Sequence, residues 1–246
     1  MRVLILGGTT EANALATALV QAEIEAVYSY AGRTKAPLAQ PLPTRSGGFG
    51  GVAGLAGYIR GERITHVVDA THPFAAQISA NAVAACASTE TPLIALQRPA
   101  WTADSGDHWT HVADLGTAVA ALPVEPARVF LAIGKQGLAA FARRPQHFYL
   151  LRLVDAAGAL PLPDALAVIA RGPFTVAGDT ALLRQHRITH LVAKNAGGTG
   201  AGAKLIAARV LGLPVILIDR PTQPDRLMLD SVQAVMHALS HARLGV

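Results

Sequence analysis

The sequence predicts an α/β fold of two Rossmann-like halves with mainly parallel sheets and an active cleft between them. Three observations carry this expectation. Apolar runs of strand length alternate with stretches of helical periodicity along the chain, as strand–helix–strand crossovers require. Only 5% of the residues are aromatic, and Ala, Val, Leu and Ile supply most of the apolar content, which suits strands covered by helices on both faces. Finally, Arg63-Ile64-Thr65-His66-Val67-Val68 recurs as Arg187-Ile188-Thr189-His190-Leu191-Val192. Each copy continues through a polar loop, an Ala-rich helix and a proline-led apolar run to an Arg-Pro pair, Arg98-Pro99 and Arg220-Pro221. A strand–loop–helix–strand unit is therefore present twice, with its loop at the carboxyl end of a strand, where open α/β sheets bind ligands.

In chain order, the apolar run 2–6 is the first strand, closed by Gly7-Gly8, and helical periodicity covers 10–22. A second strand falls at 26–30, and the Gly-rich stretch from Thr44 to Gly51 is a loop. Strand 65–69 leads through a polar loop into a helix over 74–87, with Pro73 suited to the first helical position. Pro92 opens strand 92–96, and Ala100 to Gly106, without clear pattern, is the candidate linker. A helix at 114–121 precedes strand 128–133, whose exit through Gly134-Lys135 into a helix at 136–143 mirrors the exit of the first strand. Strand 147–153, helix 178–186, strand 189–193, helix 203–211, strand 214–218 behind Pro214, and helix 228–241 complete the pattern. The halves accordingly divide at 1–110 and 111–246, and the strand count permits a C-terminal strand returning to the first sheet.

Composition bounds the function. With 246 residues, 51% hydrophobic and 15% charged, the chain can bury a real core and does not have the makeup of a disordered protein. No apolar stretch approaches the roughly 18 residues of a membrane span. The N-terminus reads as a strand and not as a signal peptide, so the expected location is cytoplasmic, with no membrane partner. Cys86, the single cysteine, reads as a small core residue. The net charge is +5 and the pI near 9.8, yet the basic residues are scattered singly, which argues against nucleic acid and fits a small polyanionic ligand. The nine histidines are dispersed and no metal-ligand spacing occurs.

The candidate residues lie at strand ends. Gly7-Gly8-Thr9-Thr10-Glu11 turns into a helix N-terminus, where free backbone N–H groups suit a pyrophosphate; the alternative is a tight turn in which Thr9 and Glu11 merely cap the helix. The second strand ends without the acidic residue that would hold an unphosphorylated ribose and presents Arg33 instead, a match for a 2′-phosphate or else a solvated surface arginine. Arg45 adjoins Gly47 and Gly48 in a loop able to approach a ligand with its backbone, or simply a flexible one. Asp69, Thr71 and His72 follow the third strand; His72 is a proton donor or cofactor contact, or a hydrogen-bonded structural residue. In the second half, Lys194 precedes Gly197 and Gly198, and could anchor a carboxylate or donate a proton, or be an ordinary salt-bridged lysine. Gly134-Lys135-Gln136-Gly137 opens a helix, and Arg152, Arg171 and Arg220 would add positive charge if they face the same crevice.

Gly7-Gly8-Thr9-Thr10-Glu11, Arg45-Ser46-Gly47-Gly48, Asp69-Ala70-Thr71-His72-Pro73-Phe74-Ala75, Arg98-Pro99-Ala100-Trp101, Lys194-Asn195-Ala196-Gly197-Gly198 and Arg220-Pro221 together resemble the precorrin-6A reductase family of vitamin B12 biosynthesis. The resemblance spans nearly the whole chain, and the Asp-Ala-Thr-His-Pro-Phe-Ala string is its most specific part. One departure is Asn195-Ala196, where many relatives carry an acidic residue and a serine. The resemblance implies NADPH-dependent reduction of one double bond of precorrin-6A. It implies an NADPH-binding N-terminal half using Gly7, Gly8, Thr9, Glu11, Arg33, Arg45, Gly47, Gly48, Asp69, Thr71 and His72. The C-terminal half would hold the substrate through Lys135, Arg152, Gly197, Gly198 and Arg220, with Lys194 as the catalytic candidate. Neighbouring enzymes of the pathway are candidate partners. The competing readings are an NADP-dependent reductase of another small anionic substrate and a non-catalytic nucleotide-sensing protein of two lobes.

Overall fold

Continuous apolar runs bounded by glycine or proline become the inner strands of two parallel sheets. The computed structural model describes residues 1–32, 37–155 and 158–244. Two compact units result, Met1–Pro99 with Thr222–Val246, and Ala100–Pro221.

The first unit contains β1 (Arg2–Leu6), β2 (Glu25–Tyr30), β3 (Thr44–Ser46), β4 (His66–Asp69), β5 (Leu93–Leu96) and β12 (Leu227–Leu229). They form one six-stranded sheet in the order β12-β5-β4-β1-β2-β3, all parallel. Helices α1 (Thr10–Gln21) and α7 (Val232–Leu244) cover one face, burying Ala12, Leu15, Ala16, Leu19, Val235 and Leu239. Helices α2 (Gly51–Gly61) and α3 (Ala76–Thr89) cover the other through Leu55, Ile59, Ala82, Ala85 and Cys86. Burial pushes the Cys86 thiol up to about 12, so it stays protonated as a core residue.

The second unit contains β6 (Trp109–Val112), β7 (Arg128–Ala132), β8 (Phe148–Leu153), β9 (Ala165–Ile169), β10 (His190–Lys194) and β11 (Val215–Ile218). Their order is β6-β11-β10-β7-β8-β9, again all parallel. Helices α4 (Leu115–Ala120), α5 (Val176–Gln185) and α6 (Ala203–Val210) pack around it.

The division of the chain differs from the expected 1–110 and 111–246. Trp109–Val112 pairs with β11, so the second unit already begins at Ala100. The chain re-enters the first unit after Pro221, where β12 pairs with β5 and α7 packs on α1. The first unit thus receives its sixth strand from beyond the second, which is one continuous run of six, and the two Arg-Pro pairs mark the crossings. The candidate linker is also anchored: the Trp101 N–H donates to Asn195 Oδ1 at 2.8 Å. Within the expected helix at 136–143 the chain forms only a 3-10 helix, Leu138–Arg143, and the start of the expected helix at 228–241 is taken by β12.

The repeated Arg-Ile-Thr-His segment is a joint. Arg63 and Arg187 take left-handed backbone with φ of 52° and 49° just after a helix, and Ile64 and Ile188 are buried. Thr65 Oγ1 accepts the Arg2 N–H at 2.9 Å and donates to the Arg2 carbonyl at 3.1 Å. Thr189 does the same to Arg128, at 3.1 and 3.3 Å. The threonine fastens each unit's β1-type strand to its neighbour before the parallel ladder begins.

Candidate active site

In the first unit the strand order reverses between β1 and β4, and a cleft opens at their carboxyl ends, the usual ligand position in such sheets. Its volume is about 430 Å³, and its walls include Gly7, Gly8, Gly47, Gly48, Thr71 and His72. Six of the residues expected to meet a cofactor are therefore brought together. Phe49, Gln77, Ile78 and Asn81 also line it and were not anticipated. Gln77 and Asn81 are one turn apart on α3 and share a 3.0 Å hydrogen bond; that spacing behind the His72 loop was the available signal.

The glycine turn is built more tightly than expected. A Cβ on Gly7 would lie 2.3 Å from the Tyr28 ring, so only glycine lets β1 cross it. The Gly7 N–H donates to the Ser29 carbonyl at 2.9 Å and the Gly8 N–H to the Tyr28 hydroxyl at 2.8 Å. These two donors are committed inside the protein, as in the tight-turn alternative. Gly8 itself has φ +112° and open space in front of its Cα, so a ligand meets bare backbone there. Thr9 caps α1, accepting from the Ala12 N–H, and donates to the Ala70 carbonyl at 2.7 Å. Glu11 turns to Arg98, 2.6 Å away.

Arg45 acts within its loop. Its guanidinium donates to Ser29 Oγ and to the carbonyls of Gly47 and Gly48, and lies 3.8 Å over the Phe49 ring. It therefore sets the shape of the glycine wall from behind. Asp69 is also behind the wall, buried, with Oδ1 accepting from the Thr71 N–H at 3.2 Å and hydroxyl at 2.7 Å. The turn it holds presents Thr71 and His72 to the cleft. His72 Nδ1 accepts the Phe74 N–H at 3.2 Å, which leaves Nε2 to carry the proton of the neutral ring. Because this turn occupies residues 71–75, α3 starts at Ala76, later than the expected 74. Arg33 falls outside the described residues.

In the second unit Lys194 ends β10, half-buried and in register with Ile218. The loop beyond it is braced from three sides. Arg220 donates to the Asn195 and Ala196 carbonyls at 3.0 and 3.1 Å. The buried Asn195 amide clasps both backbone groups of Trp101, and the Trp101 indole donates to the Gly198 carbonyl at 2.8 Å. Asn195 thus has a structural task of its own at the position where the chain departs from the family string. Gly197 and Gly198 take left-handed backbone, φ 69° and 77°. Lys135 is exposed beyond β7. Arg152 sits differently: half-buried on β8, it pairs with buried Asp179 and lies 4.0 Å over the Phe174 ring. Its charge is offset internally, so we do not assign it to the substrate. Among the described residues no three His, Cys, Asp or Glu side chains form a metal-holding group, and no helix is long and apolar enough to cross a membrane.

The family model described as Precorrin-6x reductase CbiJ/CobK matches residues 2–240. The chain belongs to this family. A precorrin-6A reductase of Rhodobacter capsulatus is 69% identical over 236 residues, 96% of this chain and 94% of that protein. One of Rhodococcus erythropolis is 49% identical, with 91% and 90% of the two chains covered. The solved structure of a CobK precorrin-6A reductase superposes with a TM-score of 0.95 at 68% identity, covering 98% of this chain and 96% of that one. Membership in the precorrin-6x reductase family agrees with the resemblance carried by the strand-end motifs and makes the chain a reductase by descent.

Proposed function

We propose that this protein is a precorrin-6A reductase that uses NADPH to reduce one double bond of the macrocycle. The observation that carries the reading is the glycine-walled cleft at the β1/β4 reversal, in a chain matching the precorrin-6x reductase family over residues 2–240. The residues fit a dinucleotide: Gly8, Gly47 and Gly48 leave open space where side chains would stand, letting an extended ligand lie against backbone. NADPH, when bound, supplies the hydride.

The chain's own residues bind, orient and protonate. Both Thr71 donors are held by Asp69, so Thr71 lends the cleft wall its hydroxyl oxygen as an acceptor, while His72 lines the same wall and Arg33 is the candidate for the 2′-phosphate. Lys135 and Lys194, with Arg220 behind the Lys194 loop, present positive charge for the acetate and propionate groups of the substrate. Lys194 is our assignment for the proton that accompanies hydride transfer, because it stands half-buried at a strand end beside a glycine turn. The relatives at 69% and 49% identity bear a name without cobalt, which supports a metal-free substrate. In this reading the reductase works in the cytoplasm.

Purified protein tests the reading directly. NADPH should be oxidised when precorrin-6A is supplied, and NADH should be a poor replacement. Binding of NADPH with no oxidation would overturn the substrate; equal use of NADH would overturn the role of Arg33.

A further inference from the structure

We propose that Arg226, working with Gln223, is a positioning residue for the Thr71–His72 turn of the cleft; its consequence for cofactor affinity rests on the reading of that cleft as the NADPH site. The argument starts from Asp69. This carboxylate is only 3% exposed, and a carboxylate buried that deeply stays charged only beside a compensating cation. Its Oδ1 holds Thr71 through two hydrogen bonds. Its Oδ2 makes no hydrogen bond and lies 3.6 Å from Nη2 of Arg226, whose side chain is 5% exposed. Arg226 comes from the far end of the sequence, on the segment that re-enters the first unit just before β12.

That segment grips the turn at both ends. Arg226 Nη2 donates to Gln223 Oε1, and Gln223 Nε2 donates to the Pro73 carbonyl at 2.8 Å. Arg226 therefore holds Asp69 at the start of the turn, and through Gln223 it steadies Pro73 at the end. Thr71 and His72, which line the cleft, lie between the two anchors. Without Arg226 the Asp69 carboxylate would lose its ion-pair partner and rotate toward water. That rotation withdraws the acceptor that fixes Thr71, while the turn's own sequence is intact.

Three variants test this: R226M, R226K and the double variant D69N/R226M, which removes both charges but keeps a side-chain acceptor for Thr71. Amide hydrogen exchange of the ligand-free protein is followed in peptides spanning 69–76, and NADPH affinity by fluorescence titration. R226M should speed exchange in that stretch while leaving the second unit unchanged, and weaken NADPH binding on the order of 10-fold. R226K should recover part of both effects, and the double variant most of them. Unchanged exchange at 69–76 in R226M overturns the proposal whatever the ligand. Faster exchange with unchanged NADPH affinity overturns the link to the cofactor. Should R226M fail to fold, R226K and D69N/R226M decide by the same two readouts. If the unaltered protein does not bind NADPH, the cofactor reading fails separately, and the exchange measurement still decides the role of Arg226.

Discussion

The Tyr28 hydroxyl accepts the Gly8 N–H at 2.8 Å and donates to Asn13 Oδ1 at 2.7 Å, so one buried phenol ties the glycine turn of β1 to helix α1. Burial raises the Tyr28 pKa well above its ordinary value, so the hydroxyl keeps its proton and both bonds at any working pH. Tyr28→Phe keeps the packing and deletes both bonds. It should destabilise the first unit by about 1–2 kcal/mol in urea unfolding. The loosened Gly8 should also raise the Kd for NADPH several-fold, read by fluorescence titration.

The Thr65–Arg2 and Thr189–Arg128 joints make a paired prediction. Thr→Val preserves shape but leaves a strand's first N–H and carbonyl without their side-chain partner. Thr65→Val and Thr189→Val should each lower stability by about 1 kcal/mol. Because they lie in different units and share no partner, the double variant should show the sum of the two. Chemical denaturation of the three proteins checks this; a wild-type midpoint in either single variant would contradict the joint's role.

All eight strands that the apolar runs announce occupy the inner positions of the sheets, and the four that they miss, β3, β6, β9 and β12, are the edges. Inner strands of a parallel sheet are covered on both faces and read as unbroken apolar runs. The edges are half solvated, and two of them, Thr44-Arg45-Ser46 and Leu227-Met228-Leu229, are only three residues long, too short to stand out as strand-length apolar runs. Helix α2 was hidden for a different reason. It contains Gly51, Gly54, Gly57 and Gly61, each about 1 kcal/mol worse than Ala in a helix, and forms because Leu55, Ala56 and Ile59 are buried against the sheet. In the site, strand-end glycines and Thr71-His72 were legible because ligand clefts sit at strand ends. Tyr28 and Arg226 were not, because their partners are fixed by sheet order and by a returning segment rather than by neighbours in sequence.

Stability should fall on acidification below neutral pH. Burial holds His66, His147 and His190 below the ordinary histidine pKa, reinforced at His147 by Arg144 and His190. The unfolded chain therefore binds protons at a higher pH than the folded one, and stability is lost as pH drops through the ordinary value near 6.5 toward the depressed folded values. His147 is the sharpest case, since its Nδ1 accepts the Ala127 N–H at 3.0 Å and must stay unprotonated to do so. Unfolding free energies measured between pH 8 and pH 5 should decline toward acid in the unaltered protein. His147→Gln, which cannot titrate, should show a shallower decline.

Lys194 provides the most direct check of the catalytic assignment. Its backbone is fixed by β10, where the Asn195 N–H donates to the Ile218 carbonyl at 2.8 Å and the Ala196 N–H to the Lys194 carbonyl at 2.7 Å. Arg220 braces the carbonyls that follow. Truncating the side chain removes the ammonium while these backbone bonds remain to hold the loop. General-acid groups contribute about 10²–10⁴-fold to rate, so Lys194→Ala should lower kcat on precorrin-6A by at least about 10²-fold while the NADPH Kd stays near the unaltered value. Lys194→Arg separates the two possible roles. Arginine keeps the charge but does not release a proton at neutral pH. Recovery by Lys194→Arg would show that the site needs only positive charge, whereas a defect equal to that of Lys194→Ala would identify the lysine proton as the one transferred.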